Sequence, residues 1–451
     1  MTNIELRAIW GLGVIFSLRM LGMFMMLPAL ATYGLSLQGA NELFIGFAIS
    51  VYGITQAIFH IPFGLASDHL NRKFLIIFSS LIFVFGSIVA ALINNIWGVI
   101  LGRAIQGIGT ITAPVMALLS DLVREQNRIK AITLIGVSFG LTFMTAVVVG
   151  PIVAHAIGLS GLFFSISVLT IIGTLMILIV PTANYHVLNR ESGIVRDGIY
   201  KILTNSQLLK LNIGIFCLHF ILISNFIVIP STMVHAGFLE NCQWKVYSII
   251  MLISFAIGWP TFIYTEAKRC MKRTFFCYTT LLLISEMMLL IASNHPWMVI
   301  AGIQLFFLAF NIMEILLPSF ISQDSPIGYK GTAMGVYFTS QFLGGAFGGA
   351  CGGLLFQLKG TQLVFLVGLL VVLICLLVSI VLCEPSHMNS LRIALSDYKK
   401  INEKLLIQNL KVYPGIIEVI VIPDEQSAYI KGDIRRIAYE DLKKIIISSQ
   451  T

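Results

Sequence analysis

Between residues 8 and 383 the chain consists of long apolar runs separated by short polar interruptions. The runs fall at roughly 8–33, 43–66, 74–94, 97–120, 130–156, 160–181, 209–234, 245–265, 274–294, 296–320, 331–357 and 361–383. A helix needs about 20 predominantly apolar residues to cross the hydrocarbon core of a bilayer, so the pattern predicts twelve transmembrane helices. Six lie on each side of the polar connection 182–208. The expected fold is therefore an all-α polytopic membrane protein made of two six-helix repeats. The first run is about twice as long as the apolar core of a secretory leader and lacks a small-residue cleavage site, so it reads as a span.

After Glu384 and Pro385 no run is long enough to cross a bilayer, and acidic and basic residues come into near balance. Residues 391–395 read as a strand, 397–411 as an amphipathic helix, 416–422 and 427–433 as a hairpin around Asp424, and 437–448 as a helix. The predicted organisation is an N-terminal six-helix half (1–181), a cytoplasmic linker (182–208), a C-terminal six-helix half (209–383) and a small α+β domain (386–451).

Composition agrees, since 57% of the 451 residues are hydrophobic and 11% are charged, outside the usual mixture of a soluble domain. With a cytoplasmic N-terminus, 15 Lys and Arg fall on inner loops and only Lys245 and Lys359 on outer ones, which is the positive-inside asymmetry. The net charge of +8 follows from it, and no nucleic-acid partner is needed to explain it. The seven cysteines sit mostly within the runs, with no Cys-x-x-Cys, so neither a disulfide framework nor a metal site is indicated. No nucleophile and base set or ATP-binding loop is present, which excludes enzymes built on those motifs.

Several segments carry specific patterns: GLASDHLNRK (64–73), RAIQGIG (103–109), the pair Gly150-Pro151, FSLRMLGMFMMLPAL (16–30), NIMEILLPSF (311–320) and KGTAMGVY (330–337). The first resembles the loop signature of the major facilitator superfamily between its second and third spans. Gly64, Asp68, Arg72 and Lys73 match, whereas His69 and Asn71 depart from it, Asn71 standing where the signature has a glycine. Asn is the residue that best tolerates a left-handed turn after Gly. The Arg103 segment resembles a motif of proton-coupled members, and Gly150-Pro151 resembles the core of the antiporter motif, with Ala154 and His155 departing. Together the segments resemble the YajR-type branch over essentially the whole chain.

The resemblance implies the major facilitator fold with a ferredoxin-like cytoplasmic appendage, in a bacterial inner membrane with both termini cytoplasmic. It implies a secondary active transporter working by alternating access, with proton-coupled efflux (antiport) of a small molecule and no cofactor beyond the proton gradient. Asp68 is implied to latch onto the N-terminus of the eleventh helix near Gly331 to Met334. Arg72 and Lys73 would pair with acids such as Asp121 and face anionic lipid. The appendage serves as a site of self-association or of a protein partner, or is passive. A second reading is a membrane sensor signalling through the C-terminal domain, and deletion of 386–451 separates the two.

Ionisable side chains within a span cost about 2.5–3.5 kcal/mol on insertion scales, which makes each a candidate functional group. Here they are Arg19, His60, Arg103, His155, His219, Glu286 and Glu314. The resemblance places the first, fourth, seventh and tenth runs around a central cavity, and Arg19, Arg103, His219 and Glu314 fall on them one each. Glu314 shares a helical face with Asn311 and Gln304. It reads either as a proton or substrate group or as a partner for Arg19 that ties the halves together. Arg19, near the midplane, suits an anionic group or a neighbouring acid. Arg103 reads as part of a coupling network or as a donor to carbonyls of the first span. His219 reads as cavity lining or as a packed core histidine. Glu286 is expected to hydrogen-bond a neighbour, and His60 and His155 to snorkel. Met20, Met23, Met25 and Met26 with Phe16 and Phe24 read as a pliable pocket wall or as ordinary packing. Gly136, Gly140 and Gly150, with GGAFGGACGG (344–353), are spaced for close helix approach.

Overall fold

The computed structural model describes residues 2–123, 125–181, 196–292, 295–326, 329–384, 389–394, 403–413, 416–422 and 427–432. The N-terminal half contains α1 (Asn3–Tyr33), α2 (Glu42–His69), α3 (Arg72–Leu92), α4 (Ile96–Ile108), α5 (Thr112–Leu122) and α6 (Glu125–Leu175). A short helix, α7 (Arg196–Thr204), precedes the C-terminal half. That half contains α8 (Ser206–His235), α9 (Gln243–Lys268), α10 (Met271–Ile291), α11 (Pro296–Asp324), α12 (Lys330–Lys359) and α13 (Thr361–Val381).

Backbone groups in lipid must be satisfied within the segment, and polar side chains do this where the apolar runs begin. Thr2 and Glu5 form a capping box on α1, with Glu5 Oε2 accepting from the Thr2 amide at 2.7 Å. Asn41, Asn95 and Asn205 accept amide protons at the starts of α2, α4 and α8. Asn71 does the same for α3, receiving the Lys73 amide at 3.0 Å with φ −59°. Asn71 therefore does not use the left-handed turn it could tolerate, its side chain serving as an N-cap instead.

Two predicted runs differ from single straight helices. Run four is split: α4 stops at Ile108 and α5 starts at Thr112. Runs five and six form one helical element that leaves helical geometry at Gly158, where φ is 71°, a conformation that glycine adopts without the Cβ penalty. Ten segments of the described residues are long and apolar enough to cross a membrane. α12 spans 30 residues and is not among these ten. Exposed Leu81, Phe85, Met287 and Leu377 on α3, α10 and α13 form the kind of surface that hydrocarbon solvates.

Small residues set how the halves meet. α12 carries its paired glycines on two faces, so that Gly344, Gly348 and Gly352 approach the α8 backbone at Phe216, Phe220 and Ser224, while Gly349 and Gly353 approach α2 at Ser50 and Gly46. A Cβ at Gly53 would sit 2.9 Å from the Phe342 carbonyl oxygen, closer than real Cβ contacts come. Gly150 packs α6 onto the α1 backbone at Met25. Gly136 and Gly140 have open space beside them, so the close approach expected there does not occur. Aromatic rings also join the halves: Phe143 on α6 meets Phe24 on α1 at 4.9 Å, Phe310 on α11 at 5.3 Å and Phe226 on α8 at 6.3 Å.

The tail contributes β1 (Asn389–Ala394), α14 (Glu403–Val412), β2 (Ile416–Ile422) and β3 (Ser427–Gly432). The strands form an antiparallel sheet in the order β1-β3-β2, and α14 packs on β2. The helix expected at 437–448 lies outside the described residues.

Candidate functional site

A cavity of about 70 Å³ lies between the halves. Phe16, Met20, Met23 and Phe24 of α1 line it together with Tyr52, Phe139 and Phe338. The methionine and phenylalanine cluster of the first run thus splits between two roles. Met20 and Met23 line the cavity, whereas Met25 and Met26 are each 1% exposed in the core and do not reach it.

The polar groups occupy two opposed walls. On the N-terminal side, Arg103 of α4 lines the cavity with its guanidinium 4.2 Å above the Tyr52 ring. Its Nη1 donates to Gln106 Oε1 at 3.0 Å, and Gln106 Nε2 donates to Ser87 Oγ at 2.7 Å. Arg103 therefore bonds its own helix and not the first span.

Arg19 lies behind this wall, 3.3 Å over the Phe83 ring. Its Nη2 donates to the carbonyl oxygens of Gly109 and Gln106, where the break between α4 and α5 interrupts the helical ladder. The pairing with Glu314 considered from sequence is absent; the guanidinium is turned toward these carbonyls instead.

On the C-terminal side, Gln341 of α12 is the organising residue. Its amide nitrogen donates to Glu314 Oε1 at 3.0 Å and lies 2.8 Å from His219 Nε2. That ring nitrogen is 3.7 Å from Glu314 Oε2. Tyr337, one turn earlier on α12, is fully buried. His219 and Gln341 line the cavity, and Glu314 stands behind them.

Asn311 does not belong to the cluster. Its amide faces Met251 Sδ at 3.9 Å, and Gln304 donates to Ser254 Oγ at 2.9 Å, so both point toward α9. The helical face assigned from spacing is real, but α9 covers two of its members.

The weaker candidates separate cleanly. Glu286 accepts from Asn225 Nδ2 at 2.6 Å, the neighbour bond expected of it. His60 is 4% exposed and packs against Phe338 and Phe342, so it is buried between α2 and α12 and does not snorkel. His155 is exposed, its ring 6.3 Å from that of Tyr33.

In the loop signature, Arg72 forms an ion pair with Asp121 and donates to the carbonyls of Ser67 (3.1 Å) and Ala117 (2.7 Å). Lys73 donates to the Val180 carbonyl at 2.5 Å, not to an acid. Gly64 accepts from Ser67 Oγ at 2.6 Å. The Asp68 side chain lies outside the described residues, and the latch assigned to it with it.

Arg72→Ala is expected to lower the melting temperature of the purified protein, because it removes three contacts that hold α2, α3 and α5 together. Leaving buried acceptors unsatisfied costs about 1–3 kcal/mol each. Thermal unfolding in detergent checks this, and an unchanged melting temperature would show that the three contacts are dispensable.

Gln106 belongs to the RAIQGIG segment, whereas Gln341 and Tyr52 carry no motif. A neutral amide inside an apolar run carries a weaker signal than a charge, although Gln341 amid small and apolar residues was the visible clue. Among the described residues, no group of three His, Cys, Asp or Glu side chains could hold a metal ion.

Two helical halves around a central cavity with polar groups on facing walls define a membrane transporter. The Major Facilitator Superfamily model matches residues 12–349, and the chain belongs to that family. Residues 391–444 match the YajR YAM domain. The chain is 52% identical over 434 residues to the inner membrane transport protein YajR of Escherichia coli, covering 96% of this chain and 95% of that protein. It is 39% identical to an uncharacterized transporter of Buchnera aphidicola over 77% of this chain and 90% of that protein. Among solved structures, the nucleoside transporter NupG has a TM-score of 0.67 at 15% identity, covering 84% of this chain and 98% of that one. A D-xylose-proton symporter has a TM-score of 0.67 at 14% identity, covering 85% and 98%. At these identities the last two speak to the fold alone.

Proposed function

We propose that this transporter exports a small molecule across a bacterial inner membrane in exchange for protons, by rocking its two halves over the cavity between them. The observation that carries this reading is the Glu314–Gln341–His219 cluster, which places a carboxyl group behind the wall of an otherwise largely apolar cavity. A carboxyl in this position can release a proton as a substrate arrives and regain it afterwards.

Further support comes from the antiporter-like Gly150-Pro151 pair, whose glycine allows α6 to lie against α1. The topology that fits has twelve spans. The element broken at Gly158 counts as two, α12 counts as the eleventh, and both termini are cytoplasmic, as the loop charges favour. The sheet order β1-β3-β2 suits a ferredoxin-like appendage.

The test is proton movement in sealed liposomes on addition of cationic, neutral and anionic compounds. Release on adding one class, lost in Glu314→Gln, is expected. Release of equal size in Glu314→Gln would remove this carboxyl from the coupling.

A further inference from the structure

The N-terminal wall of the cavity carries positive charge that the protein does not neutralise. Arg19 and Arg103 are 3% and 1% exposed, and among the described residues neither is ion-paired with a carboxylate. A guanidinium stays charged in a protein, and an unpaired buried charge costs several kcal/mol. Phe83 and Tyr52 return part of that through cation–π contact. Donors are nevertheless left over: Arg103 Nε, and Nε and Nη1 of Arg19, have no acceptor.

The opposite wall has the complementary surplus. Gln341 Oε1 and Glu314 Oε2 are buried acceptors that receive no hydrogen bond. Between the walls the surface is apolar and aromatic, as at Phe24, Phe139 and Phe342. Arg103 borders the cavity on one side, with Arg19 behind it, and Gln341 borders it on the other, with Glu314 behind, so that an apolar body would fill the space between.

From this juxtaposition we infer that the transported molecule is amphoteric, with an anionic group seated on Arg103, a protonated amine or similar donor directed at Gln341 and Glu314, and an apolar body between them. Electrostatic complementarity of this kind discriminates among ligands more than it adds raw affinity. The inference rests on the transporter reading above and deepens it. The cationic end is the part that would displace the Glu314 proton, while the anionic end answers the N-terminal charge that would otherwise stay unpaired.

A matched series tests it: the dipeptide phenylalanyl-phenylalanine, its C-terminal amide, its N-acetyl derivative, and the form blocked at both ends. Binding to the full-length protein in detergent is measured by calorimetry. Each charge-assisted hydrogen bond lost is expected to weaken binding by about tenfold or more, so the dipeptide should bind more tightly than either singly blocked form. Arg103→Gln should erase the preference over the amide, and Glu314→Gln the preference over the N-acetyl form. Arg103→Lys, which keeps the charge without the planar fork, serves where Arg103→Gln does not fold and should keep the preference in reduced form.

Equal binding of the dipeptide and either singly blocked form would overturn the inference. So would binding of none of the four, or a preference over the amide that persists in Arg103→Gln. Proton release in liposomes reads the other claim separately. Preference without release would leave the substrate class standing and remove the exchange, whereas release by the amide as strong as by the dipeptide would do the reverse.

Discussion

Gly349→Leu is expected to abolish transport while the protein still inserts and folds. Gly349 lies against α2, where a Cβ would meet the Gly46 carbonyl oxygen at 3.0 Å and the Ser50 amide nitrogen at 3.2 Å. Four residues on, a Cβ at Gly353 would be 2.9 Å from the Gly46 Cα. A leucine side chain has nowhere to go in this crossing except into the backbone of the other half. Overpacking costs about 1–3 kcal/mol, enough to shift a two-state equilibrium by roughly 5- to 150-fold. The proposed rocking of the halves would need this end of the bundle both packed and open, so the variant should be held in the open form.

Uptake or efflux in vesicles gives the rate, and a melting curve shows whether the halves still fold. Gly136→Leu is the control, since open space lies beside that glycine, and it should transport normally. Wild-type rates in Gly349→Leu would mean that the α2–α12 crossing does not have to close.

Arg19→Met is expected to be the most destabilising single change inside the bundle. Its guanidinium is the side chain that serves the carbonyls of Gln106 and Gly109 at the break between α4 and α5. In hydrocarbon no water replaces it. Each unsatisfied carbonyl costs on the order of 1–3 kcal/mol, offset in part because an unpaired buried charge is also removed. Arg19→Lys should fall between, because an ammonium donates but lacks the planar fork that bonds the carbonyls while stacking on Phe83. Thermal unfolding measures both. Equal melting temperatures for Arg19→Met and wild type would show that the break is held by packing alone.

Much of the architecture was legible before any coordinates. Apolar runs mark where the chain crosses the bilayer, since the transfer of each residue out of water is a local and nearly additive quantity. The tail's strands followed from alternation and turn residues, and β1, β2 and β3 lie within a residue or two of the expected positions. The interior charges stood out for the same reason, because each is costly wherever it is placed. Arg103 and His219 do line the cavity.

The pairing of Arg72 with Asp121 was legible, but most partnerships were not. Arg19 was weighed against Glu314 and instead serves a broken helix, because nothing local announces that α4 ends at Ile108. Asn311 was grouped with Glu314 on spacing, yet α9 covers it. Nothing in the sequence around Gln341 marks it as the residue that joins His219 to Glu314.

By itself, then, the sequence determined which segments enter the membrane, which loops carry positive charge, where the chain divides into halves, and which side chains are too polar to be there by chance. Tertiary structure alone decided which of those side chains meet, which face of the glycine-rich α12 meets α2 and which meets α8, and which methionines reach the cavity. The division has one physical cause. Hydrophobic transfer is set residue by residue along the chain, whereas a polar contact depends on how each helix is rotated about its axis. With 3.6 residues per turn, that rotation is fixed only by the helices packed against it.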